Sequence, residues 1–466
     1  GEENVGGIIG SLKADSDKKP QAQHFVNSGS VKGTTNVGGI VGYAEGITLD
    51  GRIYNLGAVL GTDNNVGGIV GYAKNTTIGN PLGEDAYTIY NQLGVTGGWN
   101  VGGIVGLIEG NSTVQNVANH GDVKATGFDT EQYNYHGTRN NDTQWYDTNS
   151  GPVNIANAGG VVGKANGATI RDVRNDGDVT TEQEGADEHY IAGNVGGIVG
   201  RAENTNITNA DNSENHVAGA HNVGGVVGYL TGTSVVDSAQ NDGGDIMATG
   251  ARTGDAATGK FVTETIRQWS NQSEEVNIGN IGGIVGYLYG RNAQIKNSAN
   301  RGTVHSAKID DDGTVPETAK AANVGGVVGK VSMGRQAPTD KNNPNSAGYT
   351  TEALLEKFRD GDNTLATIYN SYNTGDVQGY MGVGGVAGQM IKGSVTASYN
   401  LGDVRSTRVA QTGTVDPLNM GGVVGDTLAI KDGSGTVIYD VYNAGTIGDS
   451  EFNYLGRHVG GVVGRL

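Results

Sequence analysis

Asp122, Asp178, Asp245, Asp376 and Asp403 each follow a glycine at the same point of a repeating pattern. A row of carboxylates along one face of a stacked β structure is raw material for general acid and base work, so a carbohydrate-cleaving enzyme must be weighed. Periodicity argues against it. A catalytic set is a single constellation, whereas Asp122 and Asp178 occupy equivalent places in neighbouring repeats, as turn-capping residues do. Two carboxylates roughly 5 Å apart in water repel by only about 0.9 kcal/mol, so a solvated edge holds them without a metal.

Other chemical candidates are sparse. Asp310, Asp311 and Asp312 are weak calcium candidates by oxygen count, as are Asp360 and Asp362, but the spacing matches no known calcium loop. None of the eight histidines is followed by Glu, so the His-Glu-x-x-His zinc motif is missing, and His216 and His221 are irregularly placed. No Gly-x-Ser-x-Gly elbow or phosphate-binding Gly-Lys loop occurs. Gly382 to Ala387 matches a dinucleotide fingerprint by letters only, since no helix pattern follows. With no Cys in 466 residues, disulfides and thiolate chemistry are excluded. The expectation is a protein that is not an enzyme and has no cofactor.

The elements that would position any site are set by the repeat. A Gly-Gly-x-x-Gly box begins at Gly6, Gly38, Gly67, Gly102, Gly159, Gly196, Gly224, Gly282, Gly325, Gly384, Gly421 and Gly460. Its two inner residues are Ile or Val at all but Ala387, which favours strand, and each box is expected to be one strand. Asn stands two residues ahead of ten boxes, including Asn36, Asn65, Asn100, Asn194 and Asn323, while Gly382 and His458 break the row. Between boxes an Asn-x-Gly-x-Val/Ile motif recurs, as at Asn27, Asn55, Asn119, Asn175, Asn300, Asn373, Asn400 and Asn443, and reads as a turn.

The closest boxes lie 28 and 29 residues apart, enough for three short strands and three turns. The expected fold is therefore all-β: one right-handed parallel β-helix (β-solenoid) over residues 1–466, with about twelve Gly-rich coils, loop insertions and one short helix. Stacked Asn side chains should form amide ladders, and Gly38, Gly39 and Gly42 should mark close approach of another backbone, testable by Gly39→Val.

The alternation of Asn-Val-Gly-Gly-Ile/Val-Val-Gly with Asn-x-Gly-x-Val resembles the GLUG-motif repeats of bacterial surface and secreted proteins, including the non-catalytic part of Gram-positive IgA-cleaving metalloproteases. The resemblance covers almost the whole chain. It implies an extracellular or cell-surface location and a non-catalytic structural or adhesive role, or a substrate-recognition region of a secreted metalloprotease.

Insertions at about 128–155, 250–278 and 331–366 are where specificity would reside. The first two carry Phe128, Tyr133, Tyr135, Trp145, Tyr146, Phe261 and Trp269, which would bind a protein or glycan, or else cover the flank as a satellite core. The third carries a helix pattern from Thr351 to Gly361. A net charge of −18 disfavours nucleic acid and anionic lipid, and no run of apolar residues is long enough for direct membrane insertion. Both ends fall inside a box, so head-to-tail self-association into a filament is a further expectation.

Overall fold

The computed structural model describes residues 1–14, 21–80, 87–127, 129–135, 139–140, 144–145, 149–181, 193–248, 263–267, 273–290, 292–306, 322–332, 365–406, 417–427, 436–448 and 457–466. In the second coil the chain runs through strands Thr35–Gly38, Val41–Glu45, Thr48–Asn55 and Val59–Gly61 before starting again at Asn64–Gly67. Each strand hydrogen-bonds in parallel to its equivalents in the coils before and after, giving four sheets that run along one axis. The fold is a parallel β-solenoid. Twelve coils at roughly 4.8 Å each make a rod about 58 Å long.

Register is kept by the box. Val41, Val70, Val105, Val162 and Val199 pair directly, and Ala387 takes the same place later in the column. The box itself is not one strand, contrary to the expectation from sequence. Gly38 ends a first-sheet strand, Gly39 and Ile40 form a bend, and Val41 opens the second sheet. The bend keeps the ladder, since the amides of Gly39, Ile40 and Val41 donate to carbonyls of Gly67 and Ile69 in the next coil at 2.9–3.1 Å. A fourth sheet thus replaces the expected three strands per coil.

This bend separates two cores. Val37 packs with Val31, Val59 and Val66 between the first and fourth sheets. Ile40 and Val41 turn the other way, into the larger cluster with Ala44, Leu49 and Ile53 between the second and third sheets. The box does bury apolar groups on both sides, as its alternation implies, although the cause is a change of core. Close approach at the glycines is also present: a Cβ on Gly39 would sit 2.1 Å from the Gly68 carbonyl oxygen.

Two asparagine ladders run along the rod, the second broken at one coil. In the corner ladder, Asn27, Asn55, Asn91, Asn119, Asn175 and Asn212 each donate Nδ2 to the Oδ1 of the next coil's asparagine at 2.8–3.1 Å. It continues through Asn241, Asn300, Asn373 and Asn400 to Asn443. The second proton of several, such as Asn55 and Asn119, goes to the carbonyl two residues on, closing the turn. The box ladder runs the opposite way: Asn36 donates to Asn4, Asn65 to Asn36, Asn100 to Asn65, Asn194 to Asn157 and Asn323 to Asn280, at 2.8–3.0 Å.

The box row explains its own exceptions. Asn4, Asn36, Asn65, Asn100, Asn323 and Asn419 have φ between 46 and 64°, a region asparagine and glycine tolerate best. Gly382 (φ 63°) and His458 (φ 65°) share that conformation, and His458 Nδ1 still reaches Asn419 Oδ1 at 3.0 Å. Gly382 leaves a rung missing. Gly382→Asn should restore it, because a Cβ there meets nothing closer than Asn323 Oδ1 at 3.3 Å. We expect a gain of about 0.5–1.5 kcal/mol, read as a higher melting temperature.

The insertions behave in two ways. Asp129–Tyr135 pairs antiparallel with Asn149–Gly159, and Thr263–Arg267 with Ser273–Gly282, so the first two insertions are hairpin extensions of first-sheet strands and leave from the same side. The third leaves after the second-sheet strand Val328–Ser332 and returns at Thr367–Tyr369. The expected helix at 351–361 lies outside the described residues.

Candidate functional site

The outward side of the third sheet is the richest surface among the described residues. Its strands place one side chain just before the corner Asn and another three residues earlier on the side away from the core, as with Arg174 and Arg171, while Ile170 and Val173 or their equivalents face the core. A residue of positive φ sits between the outward pair, for example Asn116, Asp172, Asn209, Asn297 and Asn370, and bends each strand at the same height.

Along the axis this face changes character. Coils 5 to 8 carry charge: Arg174 holds Asp176 at 2.5 Å and Asp211 at 3.7 Å, Lys296 reaches Asp237 at 3.4 Å, and Arg301 pairs with Asp242. Coils 9 to 11 carry tyrosines. Tyr372, Tyr399 and Tyr442 stack face to face with centroids 4.9 Å apart, which is the coil spacing expressed in rings. The Arg301 guanidinium caps this stack, 5.9 Å from the Tyr372 centroid. Beside it, Tyr369 and Tyr439 are 49% and 59% exposed, whereas Thr396, paired in register between them, is buried. A shorter stack, Tyr54 on Tyr90 at 4.4 Å, lies near the other end.

Sequence reasoning missed this surface, yet a signal was present. Tyr immediately precedes the corner Asn at 54–55, 90–91, 372–373, 399–400 and 442–443. A residue adjacent to a buried ladder must face outward, so that dipeptide predicts an exposed tyrosine column.

Of the insertion aromatics, Tyr133 and Tyr135 lie on the hairpin strand Asp129–Tyr135 and Trp145 on the short strand Gln144–Trp145, with side chains outside the described residues. Phe128, Tyr146, Phe261 and Trp269 lie wholly outside them, as do Asp310, Asp311 and Asp312. Ile155, at the root of the first insertion, packs against buried Tyr229 and Tyr287 on the second sheet's outer side, a small satellite core. Among the described residues no group of three or more His, Asp or Glu is placed to hold a metal ion.

The aspartate row has a clear local job. Asp122 Oδ1 accepts from the Asp178 amide at 3.1 Å, Asp178 from the His216 amide at 2.8 Å, Asp376 from Asp403 and Asp403 from Thr446. Each side chain caps the backbone one coil further on. Asp245 differs, held between His216 Nδ1 at 3.3 Å and His305 Nε2 at 2.5 Å. Burial alone would raise its carboxyl, but these two hydrogen bonds and their charges overcome that and hold it well below the usual carboxylate range.

His221 makes stability depend on pH. Burial, reinforced by the charge of Lys330, pulls its imidazole down to about 4. An unfolded histidine titrates near 6.5, so the unfolded chain takes up the proton first. The contribution of neutral His221 is complete above pH 6.5 or so and is lost as pH falls towards 4, by about 3 kcal/mol across that window. His221→Gln should flatten the fall in melting temperature between pH 7 and 4.5; an unchanged slope would contradict this assignment.

Comparison of the chain with family models, curated proteins and solved structures returns no match.

Proposed function

We propose that this chain is a non-catalytic structural and adhesive β-solenoid of a bacterial surface or secreted protein, a stiff stalk whose side presents a binding surface. This accords with the resemblance of its boxes to GLUG-motif repeats. The observation that carries it is the pair of axial asparagine ladders joined to the parallel backbone ladders, which repeats the same kind of polar and apolar contact from coil to coil. Such repetition supports length and stiffness. The aspartates most suggestive of acid–base chemistry cap the next coil's backbone instead.

Negative-stain electron microscopy of the purified chain, together with a reducing-end assay on a polysaccharide panel, tests this. Rods about 58 Å long that release no reducing ends are expected. Globular particles, or sugar release abolished by Asp122→Asn or Asp178→Asn, would sink it.

A further inference from the structure

We propose that the third sheet's outer side binds the terminal residue of an uncharged glycan in a slot between Tyr369 and Tyr439; this rests on the adhesive reading above. The two tyrosines stand two coils apart in one column, so their strands are separated by roughly 9.6 Å. Between them the column holds Thr396, whose small buried side chain forms a floor. Neither ring has an aromatic partner among the described residues and both are exposed, so both remain open to a ligand at the gap.

A ring inserted there with carbon contacts of roughly 3.5–4.0 Å on each side needs about 7–8 Å. The spacing of roughly 9.6 Å exceeds this by about 2 Å, room that a puckered pyranose, thicker than a flat aromatic ring, can use. One mouth of the slot is closed by the Tyr372, Tyr399 and Tyr442 stack, whose rings follow one another at 4.9 Å without a gap. A chain cannot thread through, so the occupant is an end residue. The ring edges of the stack border that mouth, while the Tyr372 hydroxyl is taken up by Arg301 Nη2 at 3.0 Å.

Charge selects the class of glycan. Among the described residues of this face, the strands of coils 9 to 11 carry one acidic or basic side chain, Asp440, while coils 5 to 8 carry Arg171, Asp172, Arg174, Asp211, Asp237 and Lys296. Lys296, in register with Tyr369, reaches Asp237 at 3.4 Å and Arg301 pairs with Asp242, so the nearest cations are already matched; with Asp440 beside the slot and −18 on the whole chain, a uronate or sulfated sugar is repelled and a neutral one is not.

Saturation-transfer NMR on the full chain tests this, using the methyl glycosides of glucose, galactose, mannose and N-acetylglucosamine, with methyl glucuronide as the charged counterpart. Transfer to the ring protons of at least one neutral glycoside is expected, falling at least fivefold in Tyr369→Ala and Tyr439→Ala and unchanged in Tyr54→Ala. Unaltered melting temperatures would show that the exposed substitutions leave the fold intact. No transfer from any neutral glycoside, transfer that survives both substitutions, or transfer to the glucuronide alone would overturn the proposal. Rods seen by microscopy without sugar transfer would remove the slot and leave the stalk standing.

Discussion

Gly103→Val is expected to leave no cooperatively folded protein at 25 °C. A Cβ on Gly103 would lie 2.1 Å from the Gly160 carbonyl oxygen and 2.2 Å from Asn119 Cγ. The first obstacle is backbone of the next coil, already fixed by its own hydrogen bonds, and the second is a ladder amide. Neither can withdraw without breaking a column, which places the change among severe core disruptions of about 4 kcal/mol or more. Circular dichroism and light scattering decide the matter. Gly103→Ala in an Asn119→Ala background should remain badly destabilised, since only one obstacle has gone. A folded Gly103→Val rod would mean that neighbouring coils can move apart at the bend.

Asn119→Ala is the second large expectation. It strips Asn91 Nδ2 of its acceptor at 2.9 Å, Asn175 Oδ1 of its donor at 2.8 Å and the Gly121 carbonyl of a bond at 2.7 Å, all of them buried. At about 1–3 kcal/mol for each of the three unsatisfied groups, the loss should come to about 3–9 kcal/mol. Solenoids need not unfold in one step, so hydrogen exchange is the better readout: protection should fall most in coils 3 to 5. Asn209→Gly breaks an exposed bond to Asp172 of 2.7 Å but keeps a residue suited to its φ of 53°, and should change little, within about 0.5 kcal/mol. If the two variants behave alike, burial of the ladder is not what makes it stabilising.

The axial organisation was legible because a parallel solenoid writes its register directly into the sequence. Asn55, Asn91 and Asn119 recur at equal places because they bond to one another, and Gly39 recurs because the next coil passes against it. The cross-section was harder. Val37 and Val41 look alike as letters, and a bend between them is compatible with the same β-branched pattern as a continuous strand. The clue to unusual backbone lay in the exceptions: a row of Asn interrupted by Gly382 points to positive φ, which six of its ten asparagines share. The tyrosine face is hard to see in sequence because insertions are the obvious place for specificity, whereas Tyr399 and Tyr442 are built into the coil itself.

The opposed directions of the two ladders bear on how such a protein changes length. A coil that carries both asparagines gives an amide proton forward at its corner and backward at its box, so any such coil can follow any other with both bonds made. Unequal crossing-over between repeats of the gene would therefore lengthen or shorten the rod without inventing a new interface. A single-residue insertion within a paired strand next to a ladder has no such latitude, because it would put one asparagine out of line and leave both neighbours without a partner.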